Sequence, residues 1–191
     1  MNDQELLQKI TAKDQNAFKE LVDRFQSLVF HTCFNLIGNR EHAEDVAQEV
    51  FLQIYKTAKK FRHECKLSTW IYRISVNRAL NFIRDNRKFR WLQSIDSFPG
   101  DETRITPAFS SLNLNSHDAL MRENERKELI RSLLDSLPEK QKAAFILHKM
   151  SGLSYQEIAE VLEVSLSTVE ARIHRAKINL QKALISCLKK I

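Results

Sequence analysis

Ten Lys or Arg fall between Lys59 and Arg90, opposed only by Glu64 and Asp85. That local charge of +8 exceeds the +6 of the whole chain, so the remainder is slightly acidic. Phe61, Trp70, Tyr72, Phe82 and Phe89 are interleaved with the cations. Cations that track phosphates, mixed with rings that stack on bases, are the composition of a single-strand nucleic-acid groove. Ser68 is a candidate N-cap and no Gly or Pro interrupts Ser68 to Arg90, which predicts one helix. At about 100° per residue, Ile71, Tyr72, Ser75, Val76, Ala79, Phe82 and Ile83 share an apolar stripe. The opposite face carries Trp70, Arg73, Asn77, Asn81, Arg84 and Lys88, with Ile74 among them and Arg78 at its border. Asn can bond base edges, Arg and Lys can hold phosphates, and Trp can stack or wedge. An ordinary solvated face, with Trp70 tucked into a neighbouring loop, fits the same residues.

The elements that must position this helix follow from the rest of the chain. At 191 residues there is room for one or two domains. A hydrophobic content of 43% supports globular cores, and a pI near 9.3 suggests an anionic partner. Only three Gly and three Pro, with no sustained alternation, predict an all-α fold. Cys33, Cys65 and Cys187 form no CxxC and fit a reducing compartment. His31 with Cys33 and His63 with Cys65 lack tetrahedral ligand spacing, so neither a metal nor a cofactor is expected. The first residues do not read as a signal peptide, and no apolar run approaches the ~20 residues of a membrane span. A soluble, cytoplasmic protein without stable membrane insertion is expected.

Ahead of the basic helix, a short helix is expected over Asp3 to Ile10, then a longer one capped by Asp14 and closed by Gly38. Arg40 to Ala58 reads as a third, with Val46, Ala47, Val50, Phe51, Ile54, Tyr55 and Ala58 buried. Its other face holds Asp45, Gln48, Glu49, Leu52 and Lys56. Single exposed leucines are common, yet an acidic, amide-rich face with Leu at its centre also suits protein docking. The loop from Lys59 to Leu67 could wall a pocket for an unstacked base.

Residues 91–117 hold Pro99, Gly100 and Pro107 without periodicity and read as a linker between domains 1–90 and 118–191, its many apolar residues suggesting that it docks on something. The second domain opens with a helix carrying Leu129, Leu133 and Leu134. Pro138 starts another through Met150, closed by Gly152. Ser154 caps Tyr155 to Leu162, and a long helix follows from Ser165 to Lys190. Short helices and a tight turn before a longer basic helix give the helix-turn-helix layout. Leu166, Val169, Ile173, Ala176, Leu180 and Leu184 are expected in the core. Ser165 stands at the helix start, and Ser167, Thr168, Glu170, Ala171, Arg172, His174, Arg175 and Lys177 face out. Short polar side chains there could reach base edges while the cations hold phosphates.

Four segments in series, AFKELVDRF, EHAEDVAQEVFLQIYK, KLSTWIYRISVNRALNFIRDNRK and LPEKQKAAFILHKMSGLSYQEIAEVLEVSLSTVEARIHRAKINLQKAL, resemble the sigma-70 family of bacterial transcription initiation factors. The likeness is to its small extracytoplasmic-function group. It implies that the first domain is region 2, with Asp45, Gln48, Glu49, Leu52 and Lys56 gripping core RNA polymerase. It implies that Lys66, Trp70, Arg73, Asn77, Arg78, Asn81, Arg84 and Lys88 open and capture −10 promoter DNA. It implies that the second domain is region 4, reading the −35 element through Ser165, Ser167, Thr168, Glu170, Ala171, Arg172, His174, Arg175 and Lys177. The linker would thread polymerase channels, and an anti-sigma factor is an implied partner.

Three departures qualify the likeness. Arg73 and Ile74 stand where primary sigma factors have adjacent aromatics. Glu163 stands where the turn usually has Gly, so either the turn differs or Glu163 adopts a positive φ. Glu170 occupies a recognition position that is often basic. A stand-alone helix-turn-helix regulator and a general single-strand binder are the rivals. The first would leave both the Leu52 face and the Trp/Asn/Arg face idle, and the second would bind without sequence preference or initiation.

Overall fold

Side chains at the helix ends satisfy the backbone groups that a helix leaves open. The computed structural model describes the backbone of residues 2–62, 64–96 and 119–188, and side chains over 2–62, 64–87 and 125–187. Helix α1 (Asp3–Thr11) starts in a capping box between Asn2 and Glu5. Helix α2 (Gln15–Ile37) starts at Asp14, whose carboxylate accepts from the amides of Asn16 and Ala17. It ends at Gly38, where φ is +83° and the Arg131 side chain lies 3.4 Å from where a Cβ would stand. Helix α3 (Arg40–Thr57) is capped by Asn39 and runs into a single 3₁₀ turn, Ala58–Lys60. Helix α4 (Leu67–Asp96) is the basic one. Helices α5 (Ala119–Asp135), α6 (Glu139–Lys149), α7 (Tyr155–Leu162) and α8 (Leu166–Leu188) follow. Among the described residues there is no strand.

The basic helix departs from its expected bounds at both ends. Ser68 lies inside it rather than capping it, because the Trp70 amide already donates to the Lys66 carbonyl at 3.1 Å. At the other end the helix passes the expected boundary at residue 90 and runs to Asp96. Residues 91–96 contain no Gly or Pro, so nothing local stops it before the Pro99–Gly100 pair. The remainder of the expected linker, 97–117, lies outside the described residues, as does residue 118. Two expected core residues of α8 are exposed instead, Leu166 at 40% and Leu184 at 40%. Leu166 sits at the first position of the helix, and Leu184 lies two turns past Ala176, the last buried residue of α8 among those described. Tyr55, expected in the buried stripe of α3, is 40% exposed and packs edge-on against Phe18.

Two main apolar clusters hold these helices, and the second crosses between the two halves of the sequence. The first joins Leu6, Leu21, Val29, Val46, Val50, Ile54 and Ile71 from α1 to α4. Cys33 lies within it, its thiol pushed up to about 12 by burial, which leaves it an inert packing residue. The second joins Leu36 of α2 and Val76 and Ala79 of α4 to Ala143, Ile146, Leu147, Ile158, Val161, Val169 and Ile173. Each of these is almost fully buried, so the stripe on α4 that the periodicity identified serves both halves. Lys142 of α6 is buried in the same junction. Its ammonium donates to the Leu36 carbonyl at 2.5 Å and to the Asp135 carboxylate at 2.6 Å. Leu36 lies in the last turn of α2, the negative end of that helix, where a cation is favoured.

The cap of α7 yields a stability prediction. The Ser154 amide and hydroxyl both donate to Glu157 at 2.9 Å, while the Glu157 amide donates back to the Ser154 hydroxyl. The Ser154 amide bond, then its hydroxyl and the nearby Lys66, hold the Glu157 carboxyl below the usual carboxylate range. A carboxyl depressed on folding contributes stability above its unfolded pKa of about 4.3, lost as pH falls through the lower folded value. Ser154→Ala is therefore expected to cost about 1 kcal/mol at pH 7. Urea unfolding at pH 7 and in the acid range should show that difference narrowing once Glu157 is protonated.

Candidate nucleic-acid and docking interfaces

Residues 45, 48, 49, 52 and 56 recur at three- and four-residue spacing, which places them on one side of α3. Val46, Ala47, Val50 and Ile54 on the other side are buried, and this burial fixes the orientation of the helix. Asp45, Gln48, Glu49 and Lys56 are exposed, and Leu52 at their centre is 55% exposed. The face bears the expected chemistry, with an apolar centre and a charged rim.

Arg78 ties this helix to the basic one. Its guanidinium donates to the Gln53 side chain at 2.9 Å and lies 3.5 Å from the Glu49 carboxylate. It belongs as much to the seam between α3 and α4 as to a nucleic-acid face. Periodicity put it at the border of that face, and nothing in the sequence pointed to Gln53 as its partner.

Along α4 the candidate residues separate into three environments. Asn77 and Asn81 are exposed one turn apart, with the Arg84 guanidinium donating to the Asn81 side-chain oxygen at 2.9 Å. Arg84 is exposed and also lies 3.7 Å from Asp85. Trp70 is half-buried, its ring 5.1 Å from that of Phe61 and tilted by 49°. The loop thus supplies the ring against which Trp70 rests, as the plainer reading of that residue anticipated. Arg73 is drawn the other way, into the second half of the molecule. It donates to the Glu160 carbonyl at 2.7 Å and pairs with the Glu163 carboxylate at 2.9 Å. Lys66 is exposed, 3.8 Å from Glu157. Lys88 lies on the helix, with its side chain outside the described residues.

The turn of the helix-turn-helix has a left-handed residue at Glu163, with φ 53° and ψ 48°. The positive φ that a Gly would adopt freely is thus carried by a charged side chain, at a cost on the order of 1 kcal/mol. Helix α8 then starts one residue later than its pattern suggested. Ser165 is its cap: the hydroxyl accepts from the Thr168 amide and contacts the hydroxyls of Ser167 and Thr168. Beyond the cap, Ser167, Glu170, Ala171, His174, Arg175 and Lys177 are exposed, whereas Thr168 and Arg172 are half-buried. Val169, Ile173 and Ala176 are buried on the opposite side. Arg172 and Arg175 border a groove with Arg87 of α4 and Lys140 of α6. Glu139 is the one acid lining the same groove, so four cations against one carboxylate leave it net positive and favour anions.

The chain as a whole has recognisable relatives among known proteins. The family model for sigma-70 region 2 matches residues 21–89, and that for sigma-70 region 4 matches residues 127–180. The chain is 30% identical over 183 residues to the ECF RNA polymerase sigma factor SigW of Bacillus subtilis, covering 93% of this chain and 94% of that protein. It is 30% identical over 177 residues to the ECF RNA polymerase sigma-E factor of Escherichia coli, covering 93% and 91%. Among solved structures it resembles CnrH in complex with the cytosolic domain of CnrY. The TM-score there is 0.66 at 22% identity, over 96% of this chain and 97% of that one. It also resembles the sigma factor RpoE in complex with the anti-sigma factor NepR from Bartonella quintana, with a TM-score of 0.60 at 23% identity, over 87% and 96%. The chain belongs to the extracytoplasmic-function group of the sigma-70 family of RNA polymerase sigma factors.

Proposed function

We propose that this sigma factor docks on core RNA polymerase through Asp45, Gln48, Glu49, Leu52 and Lys56, and reads promoters with α4 and α8. The exposure of Leu52 at the centre of an acidic and amide face carries the first part of this reading. Asn77 and Asn81, with Arg84 beside them, contact bases and phosphates of the −10 strand. Ser167, Glu170, Ala171, His174, Arg175 and Lys177 face the −35 duplex, with Glu170 able to accept from a cytosine amino group. The chain makes and breaks no bonds itself, and melting is driven by binding energy. Unstacking a base costs a few kcal/mol, which ~1–3 kcal/mol per stacked base plus phosphate contacts can offset. The likeness to the sigma factor RpoE, solved in complex with the anti-sigma factor NepR, supports a similar anti-sigma partner here.

Run-off transcription with purified core polymerase on genomic fragments tests the reading. Discrete transcripts that depend on this chain are expected, and their yield should fall steeply with salt. Failure to bind core polymerase would sink the proposal. DNA binding without polymerase would favour a stand-alone helix-turn-helix regulator instead, and sequence-independent binding without initiation a single-strand binder.

A further inference from the structure

We propose that the groove between α4, the first turn of α6 and α8 is a binding site for a short polyphosphate chain, either inorganic or the tail of a nucleotide, and that its occupant competes with −35 DNA. The competition rests on the functional reading above; the site does not. Arg87 of α4, Lys140 of α6, and Arg172 and Arg175 of α8 line a groove of about 430 Å³. That size falls within the roughly 300–1,000 Å³ of small-molecule sites. Three helices thus supply four cations to one concavity, and the Glu139 carboxylate leaves it at a net +3. Each guanidinium can hold a phosphate through paired donors, so three Arg and a Lys suit consecutive phosphates better than a single one.

The groove offers donors besides its charges. Gln141 also lines it, and its side-chain oxygen accepts from Asn179 at 2.9 Å, so what it offers an anion is its amino group. The 11-residue helix α6 opens at the groove, with Pro138 as its N-cap and no side-chain cap among the described residues. The amides of Gln141 and Lys142 turn back to the Pro138 carbonyl at 2.8 and 2.9 Å. The positive end of α6 therefore adds to the field of the cations. Among the described residues no ring lines the groove, so recognition falls on the phosphates and not on a base.

One promoter cannot gather these four cations. Arg87 stands one turn past Arg84 on the helix assigned to −10, whereas Arg172 and Arg175 stand on the helix assigned to −35. Elements at −10 and −35 are about 25 base pairs apart, roughly 80 Å at about 3.4 Å per step. Arg172 and Arg175 can therefore hold a DNA phosphate or share an anion with Arg87, but not both. A discrete anion is what the groove fits, and its binding withdraws both arginines from the −35 duplex.

Titration calorimetry on the full chain with sodium tripolyphosphate tests the site, with orthophosphate at matched ionic strength as the reference. One tripolyphosphate per chain is expected, bound at least tenfold more tightly than orthophosphate, with affinity falling as salt rises. Arg87→Glu and Lys140→Glu, both at exposed positions, should each weaken it tenfold or more. Glu139→Gln should tighten it several-fold. ATP and GTP should bind within threefold of tripolyphosphate. Chain preincubated with tripolyphosphate should form promoter complexes with core polymerase several-fold more slowly, and the Arg87→Glu chain should show no such slowing. No saturable binding, several weak sites per chain, or undiminished binding in both Glu variants would overturn the site. A nucleotide bound tenfold more tightly than tripolyphosphate would overturn recognition by phosphate alone. Equal slowing of wild type and Arg87→Glu would overturn the competition. A chain that binds tripolyphosphate yet forms no promoter complex with core would sink the sigma reading and leave the site standing.

Discussion

Leu52→Ala combined with Glu49→Lys is expected to weaken binding to core polymerase about a hundredfold, a loss of about 2.7 kcal/mol. A central apolar anchor in a docking face commonly contributes 2 kcal/mol or more, and reversing a rim charge slows association further. The fold should survive. Leu52 is 55% exposed and fills no core space. Glu49 has only the 3.5 Å pair with Arg78 to lose, and both partners are substantially exposed. Such a pair contributes about 0–1 kcal/mol, and Arg78 keeps its bond to Gln53. Equilibrium binding of the labelled chain to core enzyme measures the loss, with thermal unfolding as the control for folding. Affinity within threefold of wild type would remove this face from the reading.

The sequence made the elements legible because their ends are local. Asp14, Gly38 and Ser154 each act on the backbone within four residues, so their roles can be read without any partner. The buried stripes of α3 and α4 were legible for a similar reason, since periodicity identifies a face whatever covers it. What covers the face is a different kind of information. Val76 and Ala79 were marked as buried, yet their neighbours Ile146 and Leu147 lie some seventy residues on. The same limit applies to the candidate site. Asn77, Asn81 and Leu52 are as exposed as their helical positions implied. Arg73 and Arg78 are committed to Glu163 and Gln53, contacts that depend on how helices cross. Ser165 was placed among the base readers because a hydroxyl at a helix start suits either role; the hydrogen bonds it makes are those of a cap. Glu163 is the instructive exception. Its departure from glycine was visible in the sequence, and the positive φ it adopts is there in the structure. That it also meets Arg73 could only come from the packing of α7 on α4.

Asn77→Ala with Asn81→Ala is expected to cut open-complex formation by tenfold to a hundredfold and leave core binding within a factor of about two. Each amide that bonds a base edge accounts for roughly 1–3 kcal/mol of discrimination, and both side chains are exposed, so their removal empties no core. The two positions are not equivalent. Asn81 accepts from Arg84, so Asn81→Ala also releases a cation that was held in place. Asn77 has no such tie to Arg84, which makes Asn77→Ala the cleaner measure of a lost base contact. If Arg84 holds a phosphate, as proposed, Arg84→Ala should reduce the salt slope of binding by about one, with little change in sequence preference. Permanganate reactivity of thymines in the −10 region reports strand opening, and co-elution with core enzyme reports docking. Equal loss in both assays would mean that this side of α4 supports the polymerase contact. A loss in opening alone would assign it to the melted strand.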